Sequence, residues 1–164
     1  MILVFDSSAL ITLARIGQLT LLREIAETIL IPEAVYAEVV RVGQNRPGSA
    51  AVGQAVWIVR RQANDRAAVS RLRGQTGPGE AEAIVLAQEA QADAVVLDDA
   101  TARRVAEAEG LRVVGLLGLV LHAKERGVLK SVKPLLDQMI SAGFFVDDAL
   151  YRSILREARE ESSQ

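Results

Sequence analysis

Cysteine is absent from this 164-residue chain. Its absence excludes disulfides, thiolate nucleophiles and thiolate metal sites, and it fits a reducing, cytoplasmic setting. Histidine is nearly absent: His122 stands alone, with no acidic or nucleophilic companion nearby in sequence, and reads as a structural or surface residue. Aromatic residues make up only 4% of the chain, so the core has to be built from Ala, Val, Leu and Ile. No long apolar run is present either. The opening Met1-Ile2-Leu3-Val4-Phe5 has no basic segment before it and is cut short by Asp6, unlike a signal peptide or a membrane helix. A formal net charge of −2 argues against binding nucleic acid through bulk positive charge.

What remains is ordinary for a soluble globular protein: 50% hydrophobic and 24% charged residues. The length fits one domain with one core, expected over residues 1–159, followed by a disordered tail from Glu160 to Gln164. Ile2 to Phe5 is a short apolar run of the kind buried on both faces of a parallel sheet. Ser7 or Ser8 can cap a helix from Ala9 to Ile16, stopped by Gly17. A helix over Leu19–Ala26, a strand over Thr28–Ile31 and a helix from Pro32 to Val42 follow. In the last of these Val35, Val39 and Val42 recur at helical spacing.

Gly43 to Gly53 reads as a loop, Trp57 to Val59 as a strand, and Asp65 to Arg73 as a helix. After a second loop, Gly74–Gly79, come an alanine-rich helix (Glu80–Gln91), a strand (Ala94–Leu97), a helix (Ala100–Glu109) and a strand (Arg112–Val114). Helices over Leu116–Arg126, Ser131–Ala142 and Asp147–Glu160 complete the chain. Strands alternating with helices imply an α/β fold: a mostly parallel sheet between two helical layers.

Ligands of such sheets bind at the carboxyl ends of the strands, and that is where acids collect. Asp6 directly follows the first strand, and Asp98 and Asp99 follow the fourth. Glu80 and Glu82 open the helix before that strand, and Glu38 lies in the helix after the second. Several carboxylates in one pocket repel strongly, by about 4 kcal/mol per pair at ~4 Å and an effective dielectric near 20. They bind a cation, are neutralised by arginines, or stay protonated. Without thiolates, and with the histidine elsewhere, an all-oxygen donor set suits Mg²⁺ or Mn²⁺. Such an ion can orient a water nucleophile and balance charge on a phosphoryl oxygen.

Each acid also has a structural explanation. Glu80 and Glu82 favour a helix start, Asp98 or Asp99 can cap the helix at Ala100, and Glu38 can simply be exposed. Asp6, at a buried strand end with no basic neighbour, is the hardest to explain structurally. Arg41, Arg46, Arg60, Arg61, Arg66, Arg71 and Arg73, set against the lone acid Asp65, form either a solvated face or a phosphate-attracting flank. Charge alone does not decide. Ser7 and Ser8 are read as helix caps that can also touch Asp6. Arg103 and Arg104 are salt-bridge partners or phosphate contacts. Trp57 stacks on a base or packs in the core. Gly77-Pro78-Gly79 lacks the lysine of a nucleotide-binding loop and reads as a turn.

Val4-Phe5-Asp6-Ser7-Ser8-Ala9-Leu10-Ile11 resembles the opening motif of the PIN-domain nucleases, and Glu38 matches that family's second acid. Gly79-Glu80-Ala81-Glu82-Ala83-Ile84 is similar to the third motif of a PIN subfamily with Glu in place of Asp. Val95-Val96-Leu97-Asp98-Asp99 resembles the fourth, usually Thr-x-Asp. Gly143-Phe144-Phe145, Leu150-Tyr151 and Leu155 extend the likeness over nearly the whole chain. Aligning Leu97 with the usual threonine puts Asp99 in the acidic position, with Asp98 auxiliary and a hydroxyl missing. Spacing to Ala87 favours Glu80, with Glu82 auxiliary.

The resemblance implies strand order 3-2-1-4-5 and a Mg²⁺- or Mn²⁺-dependent ribonuclease, often a toxin held by a small antitoxin. Asp6, Glu38, Glu80 and Asp99 would hold the ions, with Ser7, Ser8 and Arg103 near the substrate. RNA, an antitoxin and a second copy of the chain are the expected partners, and a membrane is not. The rival readings are a non-catalytic binding or regulatory module and a phosphatase or receiver domain. The last is opposed by Ser8, which stands where a phosphatase carries its second aspartate.

Overall fold

The computed structural model describes residues 1–161. The chain runs through β1 (Ile2–Phe5), α1 (Ser7–Arg15), α2 (Leu21–Ile25), β2 (Thr28–Pro32) and α3 (Glu33–Tyr36), then a π-helical segment, Ala37–Val42. There follow α4 (Ser49–Gln54), β3 (Ile58–Arg61), α5 (Arg66–Arg73), α6 (Pro78–Glu89), β4 (Ala94–Val96) and α7 (Ala100–Ala108). Last come β5 (Val113–Val114), α8 (Leu116–Glu125), α9 (Lys133–Ser141) and α10 (Asp148–Glu157). Every strand pairing is parallel, and the order is β3-β2-β1-β4-β5, the topology expected from the sequence.

The continuous apolar runs of the strands are explained by what covers them. Leu3, Phe5, Ile29, Ile31 and Val96 face one core, shared with α1, α2 and the C-terminal helices. Val4, Leu30, Val95 and Leu97 face the other, shared with α5, α6 and α7. Alternate residues of one strand thus enter two separate cores, each fully buried side chain contributing about 1.5–3 kcal/mol. Helix α6 is buried along nearly its whole length, from Gly79 and Ala81 to Ala87, which suits its alanine-rich, non-periodic sequence.

Several local expectations are corrected. The first helix begins at Ser7 with Asp6 as its N-cap residue, so neither serine is the cap. The expected loop Gly43–Gly53 contains α4, which buries Val52 and Ser49. Its Gly/Ser/Ala composition lacks the apolar period that signals a helix. The valine stripe breaks at Val42, which is 74% exposed. The Gly43 amide donates to the Glu38 carbonyl, five residues back, at 3.0 Å, and this wider turn rotates Val42 off the core face. Trp57 is half-buried against the first core, with Arg23 5.6 Å from its ring centre. His122 lines a cleft with Met1, Leu3 and Asp93, at the sheet end opposite the acids.

Glu160, expected to open the disordered tail, is anchored instead. Its carboxylate accepts from Lys124 Nζ at 2.8 Å, Ser131 Oγ at 2.5 Å, and the amides of Val132 at 2.7 Å and Lys133 at 3.1 Å. It therefore ties α8 to the start of α9, where the helix dipole favours an anion. Residues 162–164 of the expected tail lie outside the described residues. No helix among the described residues is long and apolar enough to cross a membrane.

Burial works against the charged form of Glu160, but the Lys124, Ser131 and backbone bonds outweigh it and lower its pKa to about 2. With the folded pKa below the unfolded one, the stabilisation is full above about pH 4.5 and lost as pH falls toward 2. Glu160→Gln is expected to lower stability near neutrality by on the order of 2–3 kcal/mol, read by urea denaturation. The gap to wild type should shrink as the acid limb is descended.

Candidate active site

The chain leaves β1 at the centre of the sheet, and the strand order reverses between β1 and β4, the crevice where α/β sheets bind ligands. Asp6 sits at its carboxyl end. The Asp6 amide donates to the Val96 carbonyl at 3.3 Å, continuing the β1–β4 ladder and holding the residue in place. The side chain is 8% exposed and makes no helix-capping bond.

Glu38 arrives from the π-helical segment and Gly79 from the first turn of α6. A β-carbon at Gly79 would lie 3.2 Å from Asp6 Oδ1 and 3.3 Å from Glu38 Oε2. The two carboxylates therefore border the same small space, which stays open because this residue has no side chain. Two more acids flank it. Glu80 folds back to accept from the Gly77 amide at 3.0 Å. Asp98 accepts from Ser8 Oγ at 3.2 Å and from the Leu116 amide at 2.9 Å.

The electrostatics follow from this grouping. Burial raises the Asp6 pKa most, and the charges of Glu80, Glu38 and Asp98 raise it further against the opposing Ser7 amide, to about 6. Near neutrality Asp6 is thus a largely ionised carboxylate held under repulsion, the state a cation relieves.

Other residues expected at the site are engaged elsewhere. Asp99 is exposed and caps α7, accepting from the Ala102 amide at 2.9 Å, so the geometry brings Asp98 rather than Asp99 to Asp6. Glu82 is buried on another face of α6, bonded to Arg66 at 2.8 Å and to the Ala34 amide at 3.3 Å. Ser7 is buried with its amide beside Asp6, while the Ser8 hydroxyl reaches Asp98. Arg103 Nη1 donates to the Leu97 carbonyl at 3.4 Å, and Arg104 reaches Thr101 Oγ1 at 3.5 Å. Leu97, where a threonine is usual, is fully buried in the second core.

Among the described residues, no three acidic or histidine side chains stand close enough to hold a metal ion together. The donors present still fit Mg²⁺ or Mn²⁺. Asp6 and Glu38 offer carboxylate oxygens around one space, and a hard ion that keeps several waters needs only one or two direct carboxylates.

Gly79 borders the site in a way the sequence reading did not assign, having placed it in a turn and at the head of the third motif without a role of its own. The available signal was a glycine beside a strong helix former run, a position where alanine would be favoured without a packing reason.

Comparison with curated proteins and with solved structures gave no match. A family model described as a PIN domain matches residues 2–160. That match spans both cores and every acid of the site, and the chain belongs to the PIN-domain family, whose members are typically nucleases.

Proposed function

We propose that this chain is a divalent-metal-dependent ribonuclease in which Asp6 and Glu38 bind the ion directly. Glu80 and Asp98 would hold its water shell, and Asp99 would serve as a helix cap. The observation that carries this reading is the space above Gly79, bordered by both carboxylates, with the buried Asp6 at its floor. When bound, the ion would supply a polarised water and neutralise charge on a phosphoryl oxygen. The sheet crevice would orient the phosphodiester against Asp6, and the walls of the two cores would restrict access of bulk water to it.

The arginine run divides into two sets. Arg66 and Arg71 are bonded to Glu82 and Glu109, and Arg60 lies 3.5 Å from Glu33 and 4.1 Å from the centre of the Tyr36 ring. Arg41, Arg46, Arg61 and Arg73 make no salt bridge among the described residues. Arg61, at the carboxyl end of β3, stands level with Pro32 on the same rim as Asp6. Arg41 lies 5.4 Å from the centre of the Tyr36 ring, and these cations without an acidic partner are the steering contacts for an RNA backbone. RNA as substrate, and a small antitoxin partner, follow the family resemblance.

A non-catalytic binding module is the second reading, favoured by the hydrogen bonds that already occupy Glu80 and Asp98. Incubation of purified protein with mixed RNA, with and without Mn²⁺, separates the two. Metal-dependent cleavage is expected, and Asp6→Asn is expected to abolish it with an unchanged far-UV spectrum. No cleavage at any Mg²⁺ or Mn²⁺ concentration favours the module.

Because the folded Asp6 pKa is raised to about 6, its proton stabilises the metal-free protein below about pH 4, and that contribution is lost as pH rises through 6. In EDTA, Asp6→Asn is therefore expected to melt above wild type at pH 7.5, by on the order of 2–3 kcal/mol, with the gap closing toward pH 4. Adding Mn²⁺ at pH 7.5 should raise the wild-type melting temperature and leave the variant unmoved.

Gly79→Ala forces the Asp6 and Glu38 carboxylates to shift by a few tenths of an ångström. We expect about a tenfold or greater loss of cleavage, since small misplacements in a preorganised site are costly. Thermal melting should stay within a few degrees of wild type.

A further inference from the structure

A cleft of about 470 Å³ opens beside the acids, lined by Asp98, Arg103, Arg112, Gly115, Phe144 and Phe145 among others. It runs along β5, the outer strand of the sheet, and its inner end is Asp98, whose charge already acts on Asp6. The far wall comes from the segment between α9 and α10. There Phe144 packs against the first core, while its neighbour Phe145 is 84% exposed. Few aromatic residues occur in the chain, and this one leaves its ring in water at the rim of the cleft.

Charge is distributed unevenly along the cleft. Asp98 marks the end nearest the proposed metal site. Arg112, exposed at the amino end of β5 where it also borders the cleft of His122, makes no salt bridge among the described residues, and Arg103 uses one of its donors on the Leu97 carbonyl. A guanidinium has five donors in a fork that matches phosphate oxygens. A flat apolar ring beside free guanidinium groups is the combination that binds single-stranded nucleic acid: bases stack on the ring and the backbone meets the cations. The volume lies within the roughly 300–1,000 Å³ range of small-ligand sites.

Other occupants fit less well. A peptide adding itself as a strand would have only Val113–Val114 to pair with, too short for a stable ladder. A second copy of the chain needs about 800 Å² per partner, whereas the exposed large apolar side chains here are Phe145 and the 39% exposed Leu150, the rest of the apolar lining being partly buried and set among charges.

We propose that this cleft is a nucleotide subsite: Phe145 stacks on a base next to the cleaved linkage of a single-stranded RNA, and Arg103 and Arg112 meet successive phosphates of its backbone along β5. The proposal rests on RNA being the substrate. It assigns the strand on one side of the cleaved linkage a path from the acids outward along β5, the arginines of β3 lying across the sheet on the other side.

The test is binding in EDTA, where no cleavage intervenes, using a fluorescein-labelled single-stranded RNA of mixed sequence followed by anisotropy. Phe145→Ala and Arg112→Ala should each weaken binding, the former about tenfold, as loss of one base stack does. Both residues are exposed, so thermal melting of the variants should match wild type. With a 4-thiouridine-substituted RNA, photo-crosslinks should map to the segment containing Phe144 and Phe145. Unchanged affinity in Phe145→Ala, crosslinks confined to Arg60 and Arg61, or no binding by wild type would each overturn the subsite. So would an Ala variant that alters only self-association, measured by light scattering, since the surface would then be a protein interface. Metal-dependent cleavage is scored separately: binding without cleavage refutes the nuclease and keeps the subsite, and cleavage with unaffected variants does the reverse.

Discussion

Like charges gather around a buried carboxylate, as the exposed Glu38 and the half-buried Glu80 and Asp98 do around Asp6, only when something stronger holds them there. In this protein the agent is the register of the parallel sheet. Phe5 and Val4 are drawn into opposite cores, and the chain that follows them delivers Asp6 to the crevice whatever its own preference. The Asp6 amide is bonded to Val96, so the residue cannot swing outward without breaking the central ladder. Repulsion between carboxylates is of the order of a few kcal/mol per close pair. Burial of the strand side chains offsets it many times over. The pocket is therefore strained electrostatically and sound mechanically.

Helix α6 shows how one short stretch serves several ends. Successive residues of an α-helix point about 100° apart, so Gly79, Glu80 and Glu82 face different surroundings. Gly79 faces Asp6 and Glu38. Glu80 turns back along the helix to the Gly77 amide. Glu82 points into the protein, where Arg66 neutralises it and the Ala34 amide of α3 adds a second bond. Glu82 thereby fixes the helix that leads to Glu38. Its contribution to the site is one of position, made through α3, with no contact to the acids themselves.

How much of this could be read from the sequence depends on how local the cause is. The strands were legible because burial on both faces leaves an unbroken apolar run, as in Ile2–Phe5. The approach of Asp6 and Glu38 was legible only on the condition that β1 and β2 are neighbours, an order implied by the family resemblance. Other features depend on contacts distant in sequence. Nothing near Glu82 announces Arg66, and nothing near Asp98 announces the Leu116 amide that orients it. The adjacent carboxylates Asp98 and Asp99 look equivalent on paper, and only the start of α7 separates their duties. The wide turn at Ala37–Val42 was hidden because valines at helical spacing suit either helix type until Gly43 closes the longer ring.

The missing side chain at Gly79 makes the scaffold and its chemistry separable. A single extra methyl group there would press on Asp6 and Glu38 and only touch Val35 of the first core, at 3.4 Å. On the proposed reading, drift at one codon would thus weaken the chemistry and spare the scaffold. Such a variant would keep the outer surface that any companion of the chain meets.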